Sequence, residues 1–151
     1  MKTLARILLV EDNPNDVEMT LEAFAECNLV NEIEVVRDGQ EALDYLFHQG
    51  VYADRPQNNP AAILLDLKLP KIDGMEVLRR IRADEKLKLI PVVIMTSSRE
   101  ERDVAEGYQL GVNAYVVKPV DFPHFVEAIK GVGVFWALIN HPPLGSVRRE
   151  I

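Results

Sequence analysis

Short, continuously apolar runs alternate along this chain with longer stretches whose apolar positions recur at helical spacing. Five runs, at 7–10, 33–36, 62–65, 92–95 and 114–117, are rich in Val, Ile and Leu. Bounded runs of this kind read as strands buried on both faces, as in parallel sheets covered by helices. Between them, Val17, Leu21 and Phe24 fall at i, i+4 and i+7, and Met75, Val77, Leu78, Ile81 and Arg82 mark a second helical stripe. Helix starts are signalled by a short polar residue with an acid three places on: Asn13 and Asp16, Asp38 and Glu41, Asp73 and Glu76, Ser98 and Glu101. Asp121 with Pro123 marks a fifth start. Five β-α alternations predict an α/β, doubly wound, five-stranded parallel sheet with helices on both faces. The polar stretch 50–60, carrying Pro56 and Pro60, reads as a long surface loop before the third strand.

The last stretch has more apolar surface than one helix face can hide. Phe125, Ile129, Val132, Trp136 and Ile139 form one stripe, and Val134, Phe135 and Leu138 point away from it. Either the tail folds back over the second face, or that face is a patch for a partner or a second copy. The second reading is preferred, because few residues remain to cover the face. Gly131 and Gly133 predict a kink or break there.

Composition narrows the classes. The chain has 151 residues, enough for one domain with a single core, and 48% apolar with 27% charged residues is a globular balance. A net charge of -7 argues against a nucleic-acid partner, whose phosphates need a basic surface. The cluster Arg79, Arg80 and Arg82 reads as a solvated helix face. Cys27 is the only cysteine, which excludes an intrachain disulfide. The basic start, Met1 to Arg6, is followed by too short an apolar run for a signal peptide or a membrane span, so the expected location is the cytoplasm.

In a parallel sheet, the carboxyl ends of strands one, three, four and five share one edge, where open α/β sheets bind their ligands. That edge gathers Glu11, Asp12, Asp66, Thr96 and Lys118. Each has a bland reading alone: Asp12 as a turn residue, Thr96 as a cap, Lys118 as a solvated base before Pro119. Together they are hard to assign to chance. Asp66 is expected to stand clear of the core as the reachable carboxylate. Three carboxylates at one point repel one another unless a cation sits among them, and hard oxygen ligands suit Mg2+. A carboxylate beside a divalent ion can attack phosphorus and form an acyl phosphate, while Lys118 and Thr96 offer a point charge and a hydroxyl for the phosphoryl oxygens. The Gly-x-x-x-x-Gly-Lys loop of nucleotide binding is absent, so the phosphoryl group must come from another donor.

With these residues in view, the chain resembles the response-regulator receiver domains of two-component signalling. The resemblance rests on Ile7 to Asp12, Leu64 to Gly74, Val93 to Thr96 and Tyr115 to Pro119, and it covers about residues 4–130. It implies a strand order of 2-1-3-4-5 and phosphorylation of Asp66 by a phosphohistidine of a sensor histidine kinase. It implies Mg2+ bound through Asp12, Asp66 and the backbone carbonyl of Lys68, with Glu11 assisting through water. It also implies that Thr96 and Tyr115 form a switch pair acting on the face of helix four, strand five and helix five, and that the Lys118–Pro119 bond is cis. Glu11 stands where aspartate is common in the family, keeping the charge on a longer arm.

A narrower resemblance is to the short regulators paired with bacterial phytochrome kinases. It rests on Glu11-Asp12-Asn13-Pro14, the loop 50–60, Phe135-Trp136 and Pro142-Pro143. It implies a homodimer, which agrees with a patch at Val134, Phe135 and Leu138. The expected organisation is a receiver domain over 1–130, then an extended last helix and tail over 131–151, without a separate output domain. Expected action is a switch that docks on a downstream protein, not an enzyme beyond its own phosphorylation and dephosphorylation. The alternative is a constitutive dimeric adaptor or a relay intermediate. A haloacid-dehalogenase-like phosphatase is disfavoured, because Lys68 occupies the place of the general acid two residues after Asp66.

Overall fold

The computed structural model describes residues 6–26, 32–96, 110–112, 114–117 and Pro123. Its strands are β1 (Ile7–Val10), β2 (Ile33–Val36), β3 (Ala62–Asp66), β4 (Val92–Thr96) and β5 (Ala114–Val117). Its helices are α1 (Pro14–Glu26), α2 (Gly39–Leu46) and α3 (Gly74–Ala83), with a single 3-10 turn at Gly50–Tyr52. The strands form one sheet in the order β2-β1-β3-β4-β5, all pairings parallel. Both the strand positions and the order agree with the expectation.

The reason for the sheet lies in its middle strands. All four residues of β1 and all five of β3 are buried, as continuous apolar runs must be when both faces are covered. β2, at one edge and interrupted by Glu34, is only half-buried over its first three residues. The core beneath α2 and α3 joins Leu8, Ile63 and Leu65 to Leu43, Leu46, Leu78 and Ile81.

The capping signals were read correctly where they are described. Asn13 Oδ1 accepts from the N–H of Asn15 at 2.8 Å and of Asp16 at 3.3 Å, just ahead of Pro14, whose missing N–H costs nothing at a first helical position. Asp38 accepts from Glu41 N–H at 2.7 Å, and Asp73 from Met75 and Glu76. Ser98 and Asp121 lie outside the described residues.

Two expectations are corrected. Arg82 does not belong to a solvated face: while Arg79 and Arg80 are exposed and pair with Glu76, the Arg82 guanidinium turns inward and donates to four backbone carbonyls. Leu21 lies at the rim of its stripe and is 37% exposed, whereas Thr20 is fully buried because its hydroxyl donates back to the Asp16 carbonyl at 2.8 Å. The segment 50–60 is the surface loop expected, and side-chain contacts pin it in place. Arg55 stacks 4.0 Å from the Tyr45 ring centre and donates to the Tyr45 carbonyl, and Tyr52 O–H donates to Glu41 at 2.9 Å. Among the described residues, no helix is long and apolar enough to cross a membrane. The patch residues Val134, Phe135 and Leu138 lie outside the described residues.

Candidate functional site

β1 and β3 run side by side, with Val10 opposite Leu65, so Glu11 and Asp12 emerge beside Asp66 at the carboxyl edge of the sheet. One oxygen from each of Glu11, Asp12 and Asp66 lies within 4.8 Å of the others. The structure therefore brings together three of the acids that sequence spacing pointed to.

Their burial inverts one expectation. Asp66 is only 4% exposed and Glu11 is fully buried, while Asp12 is the exposed lip of the cluster. Asp66 is still part of β3, opposite Met95 of β4, and the loop that follows turns so that the Lys68 N–H reaches its carboxylate. Gly74, at the start of α3, makes that turn possible. A Cβ there would collide with the Asp66 carbonyl oxygen and stand 2.6 Å from Leu67 Cα. The glycine instead donates its N–H to the Leu67 carbonyl at 2.9 Å.

The two buried acids are held in the same manner. Asp66 Oδ1 accepts the Lys68 N–H at 3.2 Å, and Glu11 Oε2 accepts the Asn13 N–H at 3.2 Å. In both cases an amide two residues onward orients the carboxylate, for Asp66 as short acidic side chains do at turns and for Glu11 on its longer arm. A cleft of about 510 Å³ opens beside the cluster, with Asp12, Lys68, Asp73, Met75 and Arg79 among its walls. It leaves the lip of the cluster accessible to another molecule.

Three converging carboxylates with no sulfur or imidazole among them fit a hard divalent cation, Mg2+ or Mn2+, and fit softer metals poorly. The remaining residues of the expected set divide by position. Thr96 ends β4, its Cα opposite Val117, on the same edge as Asp66. Tyr115 sits within β5, opposite Ile94. Lys118 and the Lys118–Pro119 bond lie outside the described residues. Sequence reasoning passed over the support given by Asn13 and Gly74; the Asn-Pro and Asp-Gly pairs were its visible signals.

Comparison with known proteins shows a match of residues 7–130 to the family described as the response regulator receiver domain. The bacteriophytochrome response regulator RtBRR superposes with a TM-score of 0.84 at 57% identity, over 95% of this chain and 87% of that one. The phosphorylated cyanobacterial phytochrome response regulator RcpA gives 0.75 at 42% identity, over 89% and 94%. The response regulator Rcp1 of Synechocystis is 41% identical over 130 residues, 86% of this chain and 87% of that protein. Its Mn2+-bound crystal structure superposes with a TM-score of 0.76 at 38% identity, over 93% and 98% of the two chains.

Proposed function

The chain belongs to the response regulator receiver family, and we propose from that premise that it is a phosphorylation-dependent switch in phytochrome-type light signalling, with Asp66 as phosphoacceptor. The observation that carries this reading is the convergence of Glu11, Asp12 and Asp66 at the carboxyl edge, with Asp66 recessed and oriented by the Lys68 amide.

Receiver domains of this family bind a divalent cation in an acidic pocket, and Asp12 and Asp66, with Glu11 behind them and the Lys68 carbonyl, are the groups that would hold it here. When bound, the ion offsets the negative charge of the carboxylates and of an incoming phosphoryl group. An Asp66 carboxylate oxygen then attacks the phosphorus of a phosphohistidine. The P–N bond breaks, the imidazole leaves with its electron pair and gains a proton, and an acyl phosphate remains. Thr96, at the end of β4, and Lys118 stabilise the added phosphoryl charge. Thr96 and Tyr115 carry the change to the face around β5, biasing a two-state surface that a downstream protein reads.

Sensor histidine kinases are the partners of the family; a bacterial phytochrome kinase is the donor proposed here, on the likeness to RtBRR and RcpA. The match spans most of the length of these relatives, and the action proposed is docking on a downstream protein. A homodimer through Val134, Phe135 and Leu138, cytoplasmic location, and Mg2+-dependent self-phosphorylation and self-dephosphorylation as its only catalysis complete the reading. The test is incubation with a small acyl phosphate and Mg2+, followed by transfer from a phosphorylated phytochrome-type kinase. Asp66→Asn should abolish labelling in both assays. Labelling that persists in Asp66→Asn sinks the assignment of the phosphoacceptor.

A further inference from the structure

β2 supplies no acid to the cluster, yet the turn that follows it presses against the loop after Asp66. Gly39, the first residue of α2, donates its N–H to the Pro70 carbonyl at 3.3 Å. A Cβ on Gly39 would collide with the Ile72 carbonyl oxygen, and would stand 2.6 Å from its carbon and 2.9 Å from Ile72 Cβ. Asp38, the residue before, sits with its Oδ2 3.6 Å from Lys71 Nζ. So close an approach of two backbones is open only to glycine.

The loop on the other side of this contact is itself unusual. Pro70 O also accepts the Ile72 N–H at 2.8 Å, and Lys71 between them has φ 69°, the left-handed region that a residue with a Cβ rarely adopts. Such a conformation persists when its surroundings over-determine it. Here the surroundings are the Asp38–Gly39 turn on one side and α3 on the other, where Gly74 N–H holds the Leu67 carbonyl. The backbone from Asp66 to Gly74 is thus fixed at its two ends by β3 and α3, and in its middle by β2–α2. The Asp38–Lys71 pair, long at 3.6 Å and with an exposed lysine, contributes little by itself. The close packing of Gly39 carries the contact.

We propose that the Asp38–Gly39 turn is a positioning element for the divalent-cation site: it clamps the 70–72 backbone, and through it the 67–69 segment beside Asp66, without contributing a ligand. The inference rests on the metal reading of the Glu11, Asp12 and Asp66 cluster. Gly39→Ala pushes the Ile72 carbonyl away and shifts the loop, so Mn2+ affinity falls about tenfold, the scale on which outer supports of metal ligands act.

The experiment titrates Mn2+ into wild type, Gly39→Ala and Arg82→Met, reading free ion by electron paramagnetic resonance and folding by far-UV circular dichroism. Arg82→Met destabilises the fold at a distance from the loop. It should keep wild-type Mn2+ affinity, whereas folded Gly39→Ala should lose it. In parallel, amide exchange is measured in wild type, where metal binding should slow exchange at the Gly39 N–H, because coupling between two sites is reciprocal. That measurement carries the test if Gly39→Ala does not fold. Wild-type affinity in folded Gly39→Ala, or Gly39 exchange unchanged at Mg2+ saturation, overturns the proposal alone. A wild type that binds no Mn2+ overturns the metal reading and this proposal together.

Discussion

Replacing Arg82 by Met should destabilise the protein by about 2–3 kcal/mol, although the side chain looks like a surface arginine in the sequence. Its Nε donates to the Leu110 carbonyl at 2.7 Å, Nη1 to Lys88 and Ile90 at 2.8 and 2.9 Å, and Nη2 to Gly111 at 2.8 Å. One side chain at the end of α3 therefore ties the loop before β4 to the turn before β5. The bonds to Lys88 and Gly111 are exposed, and water replaces them at small net cost. Those to Leu110 and Ile90 are part-buried and donated by a charged group, so each contributes ~1–1.5 kcal/mol net. Burial lowers the guanidinium pKa from its ordinary value, which marks the desolvation these bonds must first offset.

Met keeps the apolar stem, so the loss isolates the head group. Urea unfolding followed by circular dichroism should show a lower midpoint at unchanged slope, with a melting temperature lowered by about 5–10 °C for a chain of this size. Arg82→Lys should recover only part of the loss, since an ammonium cannot span two loops as a planar fork does. If Arg82→Met unfolds within ~0.5 kcal/mol of wild type, the range of an ordinary surface change, the clamp contributes nothing to stability and the reasoning fails.

Asp12→Asn should have effects of opposite sign with and without metal. Removing one of three carboxylates within 4.8 Å relieves repulsion and stabilises the metal-free protein by ~1 kcal/mol, while Mg2+ affinity falls about tenfold. Thermal melts with and without Mg2+ check this, and a metal-free melt below wild type would contradict it. Tyr52 gives a pH signature. Burial, then the hydrogen bond to Glu41, raises its phenol above the ordinary tyrosine value, so the fold favours the neutral form. Its stability contribution is complete below about pH 10 and is lost as pH rises through the folded pKa. An ultraviolet titration should show a late ionisation from Tyr52, and Tyr52→Phe should remove that step. A late step surviving in Tyr52→Phe would assign it elsewhere.

The strands and helix starts were legible because their causes are local. A run such as Ile63-Leu64-Leu65 has one environment that suits it, a strand covered on both sides, and Asn13, Asp38 and Asp73 announce helices by what their own side chains can bond. The acids of the site were legible for a related reason. Charged residues directly after buried strands have to face the sheet edge, and a parallel sheet has one carboxyl edge. Which acid is sheltered and which is exposed was not legible, since it depends on how the folded chain packs around the carboxyl edge.

Periodicity and side-chain chemistry are written in residue identity, so the order of elements, the parallel sheet and the residue types at its carboxyl edge could be read along the chain. That Asp66 is recessed and Asp12 exposed, that Arg82 is a clamp, and that Gly39 abuts the loop after Asp66 came from contacts between distant segments. These features share a physical cause. The groups that Arg82 and Gly39 meet are main-chain carbonyls, which every residue carries alike, so no letter in the sequence marks them until the fold brings them close.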